Sequence, residues 1–159
     1  MSEHMVIGAA VIQDGRLLVA RRASPPCVAG RWEFPGDEMG PDENEQATVR
    51  RVFAVEFNTL LSLWTERVLS DRWIHSWRKV EGESVPATLR LLRCRVENGT
   101  TLDLAAGEPR PNRLAYDESR WVPLDELHDV YPWSDEHAYL AEELAALYHY
   151  EAQFPHDIG

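Results

Sequence analysis

The sequence predicts an α/β domain, and three observations predict it. Short apolar runs of strand character, such as Val6 to Ile12 and Thr88 to Val96, are separated by a segment with helical periodicity. Within that segment Val49, Val52 and Phe53 follow the i, i+3, i+4 spacing of a helix buried along one stripe. The chain has 159 residues, one domain's worth, with no repeat or low-complexity stretch to suggest a second unit.

In chain order, Val6 to Ile12 reads as a buried strand, and Asp14-Gly15 signals a hairpin into a second strand, Leu17 to Arg21. Ala23 to Arg31, with Pro25-Pro26 and Gly30, reads as a loop. The helix occupies Glu45 to Phe57, closed by Asn58, which tolerates the left-handed conformation that ends helices. Leu63 to Leu69, Arg72 to Val80 and Thr88 to Val96 read as three strands, the last ended by Asn98-Gly99. Asp103 to Glu118, containing Gly107, Pro109 and Pro111, reads as a long loop. Ser134-Asp135-Glu136 caps a final helix that ends near Tyr150. The core is expected over residues 5–150 and a flexible tail over 151–159.

Composition removes several function classes. Sixteen basic against 27 acidic residues give a net charge of -11, which argues against a nucleic-acid polymer as partner. A single nucleotide remains acceptable, because local arginines outweigh the global field. Cys27 and Cys94 have neither metal-ligand spacing nor the density of a disulfide framework, so a reducing cytoplasm is the expected setting. No apolar run approaches the ~18 residues of a membrane span. The opening segment is broken by Gln13 and Asp14, so neither a signal peptide nor a membrane partner is expected.

The stretch from Trp32 to Thr59, WEFPGDEMGPDENEQATVRRVFAVEFNT, resembles the Nudix box, which is a Gly, five residues, a Glu, seven residues, then Arg-Glu-apolar-x-Glu-Glu-x-Gly-apolar. Glu43 and Arg51 have the required spacing and place Phe53 at the apolar position and Glu56 at the last Glu. Trp32-Glu33-Phe34-Pro35-Gly36 looks like the strand and turn leading into the box in MutT-type members. Four positions depart from the pattern: Asp37 replaces the first Gly, Val52 and Val55 replace two glutamates, and Asn58 replaces the closing Gly. A further acid, expected at the head of a segment similar to E-H-x-E-x-R-W-V, is Ala115 here, with Asp117 and Glu118 close by.

The resemblance implies a single Nudix-like domain over 1–159, a mixed β-sheet sandwiched between helices. It also implies hydrolysis of a diphosphate linkage by water attack, with Mg²⁺ neutralising charge and acidifying the water. Magnesium demands several oxygen ligands in near-octahedral order. On a helix, positions 52, 55 and 56 fall within one turn and share a face, which here reads Val, Val, Glu. By resemblance the Gly36 carbonyl and Glu56 remain as metal ligands, a weak site, and Glu43 ties loop to helix through Arg51. Catalytic candidates are Glu56, Glu43 and Asp37, the last as an added carboxylate.

Candidate ligand contacts each have a duller reading. Arg22 matches a phosphate-contacting position, or is a solvated arginine beside Arg21. Glu33 lies in the family's substrate-lining strand, or bridges to a neighbour. Trp133 stacks on a base, or packs against the last helix. Asp135 reads a nucleobase edge, or is a helix-terminal acid favoured by the dipole. Trp73, His75 and Trp77 share one strand face, which lines a pocket or dimer surface or, as the simpler reading, packs in the core. Arg93 and Arg95 share a face that meets phosphate or solvent. No histidine has metal-ligand spacing.

Two functions follow as expectations. The first is a Nudix-fold protein that binds a nucleotide or nucleoside-diphosphate-type ligand, its Mg²⁺-dependent pyrophosphohydrolase activity lost or strongly weakened, so that a cofactor is either absent or Mg²⁺. The alternative is an active hydrolase of a nucleoside triphosphate, of dCTP or oxidised-purine type, with Asp37, Glu38 or Asp42 replacing lost ligands. Metal-free chemistry is a weaker third, since no nucleophile and base stand at a recognisable spacing. Nudix proteins are frequently dimers, so a homodimer is also an expectation of the resemblance.

Overall fold

A computed structural model describes residues 4–57, 63–80, 82–96, 115–134 and 136–153. The order is β1 (His4–Gln13), β2 (Arg16–Arg22), β3 (Trp32–Glu33), β4 (Gly36–Glu38), α1 (Glu45–Glu56), β5 (Leu63–Val80), β6 (Glu83–Val96), β7 (Tyr116–Pro123), a 3-10 turn (Leu124–Asp129) and α2 (His137–Gln153). The sheet runs β3-β2-β1-β6-β5, with β4 on β1 and β7 on β2. It is mixed: β1 and β6 are parallel from His4↔Ala87 to Val11↔Cys94, and the other pairings are antiparallel. This is the α+β architecture with a mixed sheet that the resemblance implied.

The period-2 alternation of the central strands sends side chains to two separate cores. Ile7, Ala9, Val11, Leu18 and Ala20 face α1, where they meet Val49, Val52, Phe53 and Phe57. Ala10, Leu17 and Val19 face the other way, toward Leu140, Ala141 and Leu144 of α2 and Leu124 and Leu127 of the 3-10 turn. Asp14 and Gly15, with φ of 52° and 72°, make the turn that joins β1 to β2. Asn44 caps α1 by accepting a hydrogen bond from the Ala47 N–H at 2.8 Å.

Several boundaries differ from expectation. The segments read as two strands, 63–69 and 72–80, form one strand, β5, because β6 supplies a continuous antiparallel partner and absorbs the irregularities as register shifts. β6 begins at Glu83 rather than Thr88. The end of the expected loop 103–118 is strand, since Tyr116 and Glu118 pair with Arg22 and Arg21; Asn98-Gly99 and the rest of that loop lie outside the described residues. α2 continues to Gln153, so the expected tail shortens to 154–159, outside the described residues, as is Asn58. Trp73 is 62% exposed rather than core, and the side chains of His75 and Trp77 lie outside the described ones.

Candidate functional site

Gly36 sits at a close approach of two strands, in register with Gly8. A Cβ there would lie 1.9 Å from the Ile7 carbonyl oxygen. Only glycine admits that approach. The neighbouring Asp37 carboxylate turns to Arg51, at 2.9 Å from Nη1. Arg51 also donates to both Glu43 oxygens, at 2.7 and 3.0 Å, and to the Glu38 carbonyl at 2.8 Å. Glu43 in turn accepts from the Gly40 N–H at 2.8 Å. The Arg51 hydrogen bond, followed by the Gly40 N–H, draws the Glu43 carboxyl down to about 2. Loop and helix are thus clasped, and Asp37 belongs to the clasp.

On α1 the three positions of the box do not share one environment. Val52 is 1% exposed inside the α1 core, Val55 is 48% exposed, and Glu56 lies between these extremes. The expectation of one shared face therefore fails, because the helix rotates position 52 into the core and position 55 into solvent. Glu56 accepts a hydrogen bond from the Ala115 N–H at 3.3 Å, and Ala115 packs against the same core. Asp117 and Glu118 pair with Arg21 at 2.8 and 3.1 Å and so do not replace the missing acid.

A cleft of about 700 Å³ opens on the α2 side of the sheet, lined in part by Arg22, Glu33, Gly36, Asp37 and Trp133. Five of the sequence-derived site residues therefore meet there. Arg22 is 7% exposed, not solvated; it donates to the Ser24 carbonyl through Nε and Nη2 and to Glu33 Oε1 at 3.4 Å. Glu33 does bridge: Oε1 accepts from the Tyr116 hydroxyl at 2.8 Å and Oε2 from the Ser134 hydroxyl at 3.0 Å. Trp133 stacks on Phe34 at 5.8 Å, and its carbonyl accepts from Arg31. Asp135 lies outside the described residues. Ser134 does not cap α2 through its hydroxyl, which is directed to Glu33; its carbonyl instead accepts from the His137 N–H at 3.0 Å.

Three participants escaped the sequence reading: Tyr116, Ser134 and His137. Tyr116 is fully buried, and burial, reinforced by Glu33, raises its phenol well above the ordinary value. His137 accepts the Phe34 N–H on Nδ1 at 3.1 Å, which leaves its Nε2 facing Glu33 at 4.0 Å. The only sequence signal for Tyr116 was its place beside Ala115 in the segment that should carry an acid.

The residues present do not fit a magnesium site of the implied kind. The Gly36 carbonyl oxygen has the Tyr116 hydroxyl 3.2 Å away, Glu56 is drawn to Ala115, and Val52 is core. Among the described residues no three His, Cys, Asp or Glu side chains converge as a metal cluster. No helix among them is long and apolar enough to cross a membrane.

Comparison with known proteins agrees with this architecture. The NUDIX domain model matches residues 3–144. A Mycobacterium tuberculosis protein provisionally named 8-oxo-dGTP diphosphatase 2 is 33% identical over 132 residues, 82% of this chain and 80% of that protein. The crystal structure of a MutT NUDIX hydrolase from Burkholderia pseudomallei, 25% identical, superimposes with a TM-score of 0.60 over 90% of this chain and 98% of that one. The NUDIX domain of Shewanella oneidensis NrtR complexed with ADP ribose shares the fold at 16% identity and a TM-score of 0.59, covering 93% of this chain and 90% of that one. With the box frame, the mixed sheet between two helices and a family match over most of its length, the chain belongs to the Nudix superfamily.

Proposed function

We propose that this chain binds a nucleotide or nucleoside-diphosphate-type ligand in the cleft on the α2 side of the sheet, and that its diphosphate hydrolysis is lost or strongly weakened. The observation that carries this reading is the dispersal of the carboxylates. Glu56 is held by the Ala115 N–H and Asp37 by Arg51, while Val52 is sealed in the core. The cleft itself keeps an aromatic wall at Phe34 and Trp133 and a buried cation at Arg22, features suited to a base and an anionic group. A solved Nudix relative holds ADP ribose, which supports this ligand class. Cys27 and Cys94 are both free thiols, in keeping with a reducing cytoplasmic setting. A homodimer through the face carrying exposed Trp73 accompanies this reading, and sedimentation of Trp73→Ser against the parent tests it.

The test is a thermal-shift panel of nucleotides, sugar nucleotides and dinucleotides, with Mg²⁺ and with chelator, alongside assays for released phosphate and pyrophosphate. Stabilisation that persists in chelator with no product supports the binding reading. Metal-dependent turnover at ordinary enzyme rates sinks it. The second reading is an active pyrophosphohydrolase of dCTP or an oxidised purine triphosphate. It draws support from the name of the Mycobacterium tuberculosis relative and from the position of Asp37 in the cleft wall. Under it, Asp37→Ala and Glu56→Gln each abolish turnover, and full activity in either variant removes it.

A further inference from the structure

The Tyr116 hydroxyl makes three contacts, one to the Glu33 carboxylate and two to the backbone of Gly36. It lies 2.8 Å from Glu33 Oε1, accepts the Gly36 N–H at 3.1 Å, and sits 3.2 Å from the Gly36 carbonyl oxygen. Its ring is immobilised by stacking on Phe57 at 5.5 Å, and the Arg22 guanidinium lies 5.1 Å from the ring centroid. Every side of this residue is packed, and none of its surface reaches solvent. Gly36 is held there in register with Gly8, and the nearby Ile7 carbonyl leaves no room for a side chain at this position.

We propose that the Tyr116 hydroxyl stands where the family's resident cation would be held, excluding the ion from the Gly36 carbonyl and bracing Gly36 and Glu33 itself, so that the cleft is organised without metal. An ion bound at the roughly 2.1 Å that magnesium requires would have to share the Gly36 oxygen with this hydroxyl. The same hydroxyl accepts the Gly36 N–H, a group costly to leave unpaired in a buried place, and shares Glu33 Oε1 with Arg22. Tyr116 is thus a positioning residue: it acts on a ligand only through the two groups it holds. The inference extends the reading of a cleft with weakened hydrolysis, but it is tested without any nucleotide.

The probe is Mn²⁺ alone, titrated into the full chain and followed by the electron paramagnetic resonance signal of the free ion. Tyr116→Phe removes the hydroxyl and keeps the ring; it is expected to bind Mn²⁺ about tenfold or more tightly than the parent, the scale of effects from groups that govern ligand availability. Ala115→Glu restores the family's acid but leaves Tyr116 in place, and is expected to show no such gain. Equal affinity in the parent and Tyr116→Phe, whether tight or absent in both, overturns the proposal. So does an Ala115→Glu variant that gains as much as Tyr116→Phe. Should Tyr116→Phe fail to fold by circular dichroism, the parent and Ala115→Glu titrations decide, since tight binding in either one refutes exclusion by Tyr116. Failure of nucleotides to bind in the thermal-shift panel leaves these outcomes legible, because no arm contains a nucleotide.

Discussion

Glu43 carries the most strongly displaced carboxyl described here, and its displacement has a pH signature. A carboxyl held near 2 in the folded chain, against an ordinary value near 4.5 when unfolded, stabilises the fold fully above the unfolded value. That contribution is lost as pH falls from about 4.5 toward 2. Glu43→Gln is therefore expected to lower stability at pH 7 by about 1 kcal/mol, since the pair is partly solvated, and to converge with the parent near pH 2. Urea melts at both pH values check this; a gap that persists unchanged at low pH contradicts it. The Glu43-Arg51 pairing was implied by the resemblance of the box, and the structure forms it. The capture of Asp37 by the same guanidinium was not, because spacing in a loop says nothing about which of several nearby acids a five-donor cation will reach. Of the two readings of Arg22, a phosphate contact by resemblance or a solvated arginine beside Arg21, the second fails, because Ser24 and Glu33 fold around it and bury it.

At the scale of elements, α1 shows how much a periodic pattern can establish. The start at Glu45 and the stripe Val49, Val52, Phe53 were readable, because local propensity and burial point the same way, whereas the Asn44 cap emerged only with the structure. The stripe also determines what position 52 can now be. Val52→Glu recreates the family's residue but places a carboxylate against Phe53, Phe57 and Leu92 with no cation among those neighbours. A loss of about 3 kcal/mol or more is expected from an uncompensated buried charge. Thermal unfolding measures it, and a variant as stable as the parent would show that α1 can rotate to free this side chain. β5 was harder to read, since its polar and aromatic residues follow no clean alternation. Its continuity across residues 70 and 71 comes from β6, a partner distant in sequence.

For the whole molecule, one contact set ties the outer strand to the second helix. Arg72 on β5 reaches Glu136 at 2.5 Å and Glu143 at 3.1 Å, and its guanidinium lies 4.9 Å from the Tyr139 ring. Arg72→Ala is expected to lower Tm modestly at low ionic strength and to speed amide exchange in β5 near position 72. The Tm difference should narrow in high salt, because the charges are solvent-accessible and screened. An unchanged exchange rate in β5 would show that the strand is held by its ladder with β6 alone. This link joins residues remote in sequence, so no local pattern announced it, whereas the architecture itself was announced by the box.

The sheet's alternation has a consequence for the history of such a chain. Its two apolar clusters have no residue in common, since β1 and β2 deal their side chains to opposite sides. Substitutions packed under α1 and substitutions packed under α2 therefore sit on opposite faces of hydrogen-bonded backbone, where effects add except at residues such as Tyr116 that reach across to Glu33. A lineage could discard two glutamates from the first helix, fill both places with valine, one buried and one exposed, and leave the aromatic wall across the sheet as it was. The chain could change its chemistry on one side while its capacity to hold a ligand on the other stayed available for a different use.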